Sequence, residues 1–275
     1  MSSNKTPIPP HMDWVEEIEK ITTSDGHPVT VFKLSHEEDD EVLSAWAKHF
    51  RNHYCLDGEI DVLRKGTKHS RATYLTTIKF PDETTAPGPS IRAGDFAEIL
   101  IADYLEYVLA YWVPRTRYAD KTIRNESTKG CDIIGFKLLG TGKDSPKDAL
   151  AIFEAKAQFS GRKCKAKLQE AIDHSGKDQL RKAESLNAIK QRLLRDGAVD
   201  GMEVVARFQN VEDRPYTEVS GAAALFSTSV YDESVIAGAT AGSHPNVDSL
   251  VLVVVRGDDM MALVHDLYQR AANEA

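Results

Sequence analysis

The chain has 275 residues, 41% of them hydrophobic, and a formal net charge of −8 at pH 7, enough apolar material for one large domain or a domain with appendages. Its longest apolar run, Leu250–Val255, is too short to span a bilayer, and the N-terminus lacks the basic-then-apolar order of a secretory signal. Three cysteines, Cys55, Cys131 and Cys164, show no CxxC spacing and the nine histidines no HExxH pattern, so the common zinc arrangements are excluded and a soluble, cytoplasmic chain in a reducing compartment is expected.

Met1–Pro10, with three prolines, reads as a flexible leader. Ten acids against two lysines then fall between Asp13 and Glu41; a solvated face is the plain reading, and an acidic face that repels DNA or meets a basic partner is the sharper one. Pro28–Leu34 alternates like a strand, and Ser35-His36-Glu37-Glu38 reads as a capping box opening a helix through about Tyr54. Tyr74–Phe80 reads as another strand. The proline-rich stretch Pro81–Ser90 reads as a linker, dividing an N-terminal α/β extension (1–90) from a core (91–275).

The core opens on Gly94-Asp95-Phe96-Ala97-Glu98, at the start of an apolar helical segment running to about Trp112. At about 100° per residue Glu98 shares its face with Ile101, Ala102, Leu105 and Leu109, so its carboxylate needs a partner; Asp95 suits the helix dipole. Two apolar runs follow, Gly130–Phe136 with Asp132 near its start and Ile152-Phe153-Glu154-Ala155-Lys156. The turn-forming stretch Gly140–Asp148 between them reads as the loop of a hairpin rather than a phosphate loop, whose Gly-x4-Gly-Lys-Ser/Thr order is absent. Pairing the two strands brings Asp132 towards Glu154. Alternation along the second strand places Glu154 and Lys156 on one side and Phe153, Ala155 and Ala157 on the other. Such an acid and lysine suit a metal site: the carboxylate ligates a divalent ion, and the ammonium orients water or offsets charge on a phosphate.

Residues 160–196 carry ten basic residues against five acids, so the overall acidity does not extend to the neighbourhood of this strand. Lys163, Lys165 and Lys167 are the closest candidates for nucleic-acid phosphates. Asp178–Arg195 has helical spacing through Leu180, Ala183, Leu186, Ile189 and Leu193, with Gly197 as a stop. Glu203–Phe208 and Ser249–Val255 read as strands, Asp259–Ala272 as a closing helix, and Ala222–Ala241 is ambiguous. Trp14, Trp46 and Trp112 read as packing residues. Strands interleaved with helices imply an α/β fold with a mixed central sheet flanked by helices.

An acid on a helix, Gly-x-Asp at a strand and Glu-x-Lys on its neighbour together resemble the PD-(D/E)xK nuclease superfamily. More narrowly, Gly94–Glu98, Gly130–Phe136, Glu154-Ala155-Lys156 and the helix at Lys177-Asp178-Gln179-Leu180 resemble the HamA nuclease subunits of the Hachiman anti-phage defence system, over roughly residues 91 to 210. Cys131 stands where the superfamily's name has proline. The resemblance implies a restriction-endonuclease-like core and DNA hydrolysis with Mg2+, for which Mn2+ can substitute. It implies Asp132, Glu154 and Glu98 as metal ligands, Lys156 as the catalytic lysine, and a superfamily 2 helicase (HamB-like) as regulatory partner, with no membrane involved. Two alternatives stay open: a catalytically silent nucleic-acid or partner-binding module on the same fold, and an RNA-directed nuclease, since nothing in the residues reads a 2′-hydroxyl.

Overall fold

The computed structural model describes residues 7–139 and 144–275. Strands β1 (Val15–Thr22) and β2 (Pro28–Leu34) precede helix α1 (Asp40–Tyr54) and two one-turn helices, α2 (Ile60–Leu63) and α3 (Arg71–Tyr74). Helix α4 (Gly88–Asp103) leads through irregular chain to strands β3 (Ile133–Lys137) and β4 (Ala149–Gln158). Helices α5 (Lys167–Ser175), α6 (Asp178–Arg195) and α7 (Val199–Arg207) come next, followed by strand β5 (Thr217–Ser227), short helix α8 (Glu233–Ala237), strand β6 (Leu250–Gly257) and helix α9 (Met260–Asn273).

The sheet runs β1-β2-β6-β5-β4-β3. Its four inner strands are parallel neighbours, and the edge strands β1 and β3 pair antiparallel, so the fold is the expected α/β mixed sheet flanked by helices. Phe153, Ala155, Leu225 and Val255 join α1, α4 and α9 in the largest core cluster. On the opposite face Ala222, Ala224 and Leu252 pack with α5, and Leu150 and Ile152 pack with α6 and α7. Cover on both faces explains why β4 and β5 are apolar at successive positions instead of alternating. It also resolves the ambiguous stretch from Ala222: Ala222, Ala223 and Ala224 are fully buried in an inner strand. The largest cluster draws residues from either side of Pro81–Ser90, where the Pro81 carbonyl accepts from buried Arg92 Nε at 2.9 Å.

Four sequence expectations need correction. Tyr74–Phe80 is not a strand but the end of α3 and a wide turn, Leu75–Lys79, closed by Phe80 N donating to Leu75 O at 2.7 Å. Thr76 and Thr77 mimic strand composition but donate their hydroxyls back to the Ala72 and Thr73 carbonyls. Glu203–Arg207 lies in α7 with Phe208 as its C-cap, and burial of Gly201, Val205 and Phe208 follows helical spacing despite the β-branched pair. Helix α1 starts at Asp40, not at the capping box; Asp39 is its cap, accepting from Glu41 N and Val42 N at 3.0 and 3.1 Å. Leu180 was placed on the buried face of α6 and is 85% exposed. The leader's residues 1–6 and loop residues 140–143 lie outside the described residues.

One close approach seats the key strand. Gly221 of β5 stands opposite Phe153 of β4, and a Cβ at Gly221 would lie 2.3 Å from the Phe153 ring. We expect Gly221→Ala to destabilise the protein by about 1–3 kcal/mol, the range for overpacking a filled core. Chemical denaturation checks this through a lower midpoint at unchanged slope.

Candidate functional site

Strand β4 outruns β3. The ladder ends at the pair Ile133–Phe153, and the Ala155 amide donates instead to Asp132 Oδ2 at 3.2 Å. The hairpin therefore brings Asp132 against the strand that carries Glu154 and Lys156, as the sequence spacing implied. Glu154 shares its side of β4 with Ile152, facing α6, whereas Phe153 and Ala155 face α4. Lys156 Nζ donates to Glu154 Oε1, His174 Nδ1 of α5 lies 3.3 Å from the same oxygen, and Glu154 Oε2 has no hydrogen-bond partner among the described residues.

Glu98 reaches the site from α4. Arg117 links it to Asp132: the guanidinium lies 2.8 Å from Glu98 Oε2 through Nε and 2.9 Å from Asp132 Oδ1 through Nη2. Arg117 is anchored by the carbonyls of Cys131 and Thr128, and the Tyr118 hydroxyl donates to Glu98 at 2.6 Å. Asp95, one turn earlier, is occupied by Lys121 and the Tyr54 hydroxyl, each at 2.7 Å. A further acid lies in the Lys177–Leu180 motif but was given no site role from the sequence. Asp178, the first residue of α6, is buried with both carboxylate oxygens unpartnered among the described residues.

The electrostatics follow from burial. Desolvation, reinforced by the Asp132 charge and opposed by Lys156, raises Glu154 to about 7; desolvation and Asp132 raise Asp178 to about 7. Glu98 is pushed up to about 8, by burial first and against the pull of Arg117. Burial works against charge on Lys156, but Asp132 and Glu154 outweigh it and raise its pKa, so the lysine stays cationic. A cavity of about 70 Å³ opens beside Glu98 and Asp132, and Arg115, Arg117, Lys129 and Arg192 are among its lining residues, Arg115 paired with Asp103 and Glu106, Arg117 with Glu98 and Asp132, and Arg192 with Asp120. Lys163, Lys165 and Lys167 are not among its lining residues. Lys163 and Lys165 follow β4 on a loop pinned by Gln158, which donates to Lys163 O and accepts from Lys165 N, both at 2.8 Å, and Lys167, the first residue of α5, pairs with Glu170.

Carboxylate oxygens are the ligands a hard divalent cation takes, and three buried ones here lack partners among the described residues, but no three of these acids have ligand atoms within 4.8 Å of one another. A second cluster behaves differently. His11 Nε2, His49 Nε2 and Arg115 Nη2 lie 3.1, 3.0 and 2.7 Å from buried Asp103. The three potential ligands, His11, His49 and Asp103, are close enough to hold an ion, yet their hydrogen bonds already satisfy the carboxylate, and His11 stacks on Trp46 at 4.5 Å. Sequence reading gave Arg117, Tyr118 and Asp178 no site role because their placement depends on long-range packing; the signals present were the acid at the start of a predicted helix and its place in the Lys177–Leu180 motif.

Raised carboxylate pKa values carry a stability consequence. The folded carboxyls hold protons that the unfolded chain has released, so their contribution is complete below the unfolded value of 4.5 and is lost as pH rises through about 7 for Glu154 and about 8 for Glu98. Buried His11 and His53, whose pKa values desolvation lowers, act in the opposite sense below about pH 6.5. Between about pH 6.5 and about pH 8.5, melting in chelator should therefore shift to lower temperature. The shift should be smaller in Glu154→Gln; equal slopes in the two proteins would contradict the assignment.

The family model described as HamA matches residues 9–271. No curated protein matches the chain. No helix among the described residues is long and apolar enough to cross a membrane.

Proposed function

The chain belongs to the HamA family, and on that premise we propose that it is a magnesium-dependent deoxyribonuclease, controlled by a superfamily 2 helicase partner of the HamB type. Family membership fits an anti-phage defence effector. The observation that carries the nuclease reading is the buried Glu154 carboxylate, with one oxygen on Lys156 and the other free, beside Asp132 on the adjoining strand end.

Asp132 and Glu154 would hold the ion, with Glu98 joining only where Arg117 releases it. Bound Mg2+ supplies a nucleophilic water, polarisation of the phosphate and charge stabilisation at the leaving oxygen. Lys156, kept cationic by its acidic neighbours, holds the attacking water in line or neutralises charge gathering on the phosphate. Lys129, with Arg115, Arg117 and Arg192 where their acidic partners release them, would meet a phosphodiester in the adjacent cavity, and Lys163, Lys165 and Lys167 remain separate candidates for phosphate contact. Burial of the carboxylates strengthens each of these charge interactions. The acid-rich edge strand β1, with Glu16 and Glu17 exposed, offers a basic partner a docking edge.

Incubating the purified chain with linear duplex DNA, circular duplex DNA or RNA should show magnesium-dependent loss of DNA. Glu154→Gln and Lys156→Ala should each slow it by at least about 100-fold, the scale of losing a positioned catalytic group, while melting as folded proteins. Activity that appears only with the helicase and ATP supports the regulatory part of the reading. Unchanged cleavage in both variants would refute the site, and cleavage of RNA alone would move the substrate.

A further inference from the structure

Three side chains from separate parts of the fold bring one polar atom each to a common spot. His11 comes from the 3-10 turn Pro10–Trp14 ahead of β1, His49 from α1 and Asp103 from the last residue of α4. His11 Nε2 lies 3.1 Å from Asp103 Oδ2, and His49 Nε2 3.0 Å from Asp103 Oδ1. The three potential ligand atoms all fall within 4.8 Å of one another, as no other three His, Cys, Asp or Glu side chains do among the described residues. His11 and Asp103 are buried, whereas His49 keeps 24% of its side chain exposed, so the spot is dry but reachable. One turn along α1, buried His53 brings a further ring nitrogen, Nε2, to 3.4 Å from His49 Nε2.

Hydrogen bonding accounts for the carboxylate but not for the nitrogens. Arg115 Nη2 by itself pairs the Asp103 charge, at 2.7 Å. A neutral imidazole nitrogen carries either a hydrogen or an available lone pair, not both. With a hydrogen, His49 Nε2 has one donor for two facing atoms, Asp103 Oδ1 and His53 Nε2; with a lone pair, it opposes the carboxylate. A cation seated between them turns the lone pairs of the His11 and His49 Nε2 atoms and a carboxylate oxygen into ligands of one centre, with the ring hydrogens on Nδ1.

The spacing and the donor set agree on the kind of ion. Nitrogen and oxygen ligands about 2.0–2.2 Å from a tetrahedral ion stand roughly 3.3 Å apart, close to the 3.0 and 3.1 Å found here. Imidazole with carboxylate suits zinc and its transition-metal neighbours rather than magnesium or calcium. Arg115 is held by Glu106 at 2.6 Å as well as by Asp103, so with the histidines neutral two carboxylates face one guanidinium and one negative charge remains. Its contact also fixes the Asp103 carboxylate from outside, as the supporting partners of metal ligands do.

We propose that His11, His49 and Asp103 bind one zinc-class transition-metal cation, which fastens the N-terminal segment to α1 and α4. The site is separate from the acids at the end of β4 and does not rest on the nuclease reading. Asp103 stands 92 residues from His11 and 54 from His49, so the ion joins segments that are far apart in the unfolded chain and stabilises the folded one.

The test titrates Co2+ and then Zn2+ into the chelator-treated whole chain, followed by visible absorption, with melting curves in chelator and in Zn2+. The wild-type protein should take up about one Co2+ with the ligand-field bands of a four-coordinate nitrogen and oxygen site, lose those bands to Zn2+, and melt at a higher temperature in Zn2+ than in chelator. His49→Gln keeps an amide donor for Asp103 but no imidazole. It and His11→Gln should each weaken uptake by at least about tenfold and lose most of the Zn2+-induced rise, while Glu154→Gln binds as the wild type does. A histidine that serves only as a hydrogen-bond donor would change the melting temperature in chelator and leave metal uptake alone. Where one histidine variant does not fold, the other, read in the same way, decides. No Co2+ uptake by the wild type, uptake unchanged in the folded histidine variants, or a thiolate charge-transfer band marking a cysteine ligand would overturn the proposal. Uptake lost in Glu154→Gln and kept in His49→Gln would overturn it too, and would leave the ion with the acids of β4.

Discussion

Carboxylates withdrawn from water without enough positive charge to balance them are the constraint on which the rest of this structure depends. Asp132 stands beside Glu154 where β4 runs beyond β3, Glu98 and Asp178 lie on either side, and Arg117, Lys156 and Arg181 offset only part of the charge these acids carry when ionised. A protein core tolerates such an arrangement when the acids keep their protons, as the raised values of Glu154 and Glu98 indicate, or when a cation completes it. The fully buried Asp103 shows the contrasting solution in the same molecule: two histidines and an arginine satisfy it, and its pKa lies well below the ordinary carboxylate value because those partners outweigh desolvation.

The fold supplies the geometry with few parts. An inner strand covered on both faces gives Glu154 a dry environment, and the ring of Phe153, lodged over Gly221, fixes the backbone one residue before it. The side chain of Asp132 takes over the ladder position that β3 vacates. Helix α4 delivers Glu98 from one face of the sheet, and α6 delivers Asp178 towards the other. Asp132 stands between them. The cavity adjoins this junction at Glu98 and Asp132, so a ligand entering it would arrive beside the carboxylates rather than at a remote surface.

Much of this was legible in the sequence wherever one local pattern dominated. The alternation of Pro28–Leu34 and the apolar run at Leu250 coincide with β2 and β6, and the helical spacing after Asp178 coincides with α6. The pairing of Asp132 with the Glu154 strand also followed from two apolar runs around a turn-rich loop. Reading failed where tertiary contacts overrode composition. Thr76 and Thr77 satisfy helical carbonyls, and Val205 packs as a helix residue against α6. Edge strand β1 went unseen because its acids break the apolar alternation, leaving only Val15 and Ile21 to pack on the core while its backbone pairs with β2. Within the site, the acid types and their order along the chain were readable, but Arg117 comes from a stretch with no periodicity. The burial of Asp178 depends on how α6 meets the segment before β3, which no local pattern encodes.

The central claim is that the buried acids at the end of β4 form a divalent-cation site, and the most direct measurement is anomalous diffraction from crystals of the protein soaked in Mn2+. The account predicts a difference peak between Asp132 and the free oxygen of Glu154. No peak there, or a peak only among His11, His49 and Asp103, would contradict it.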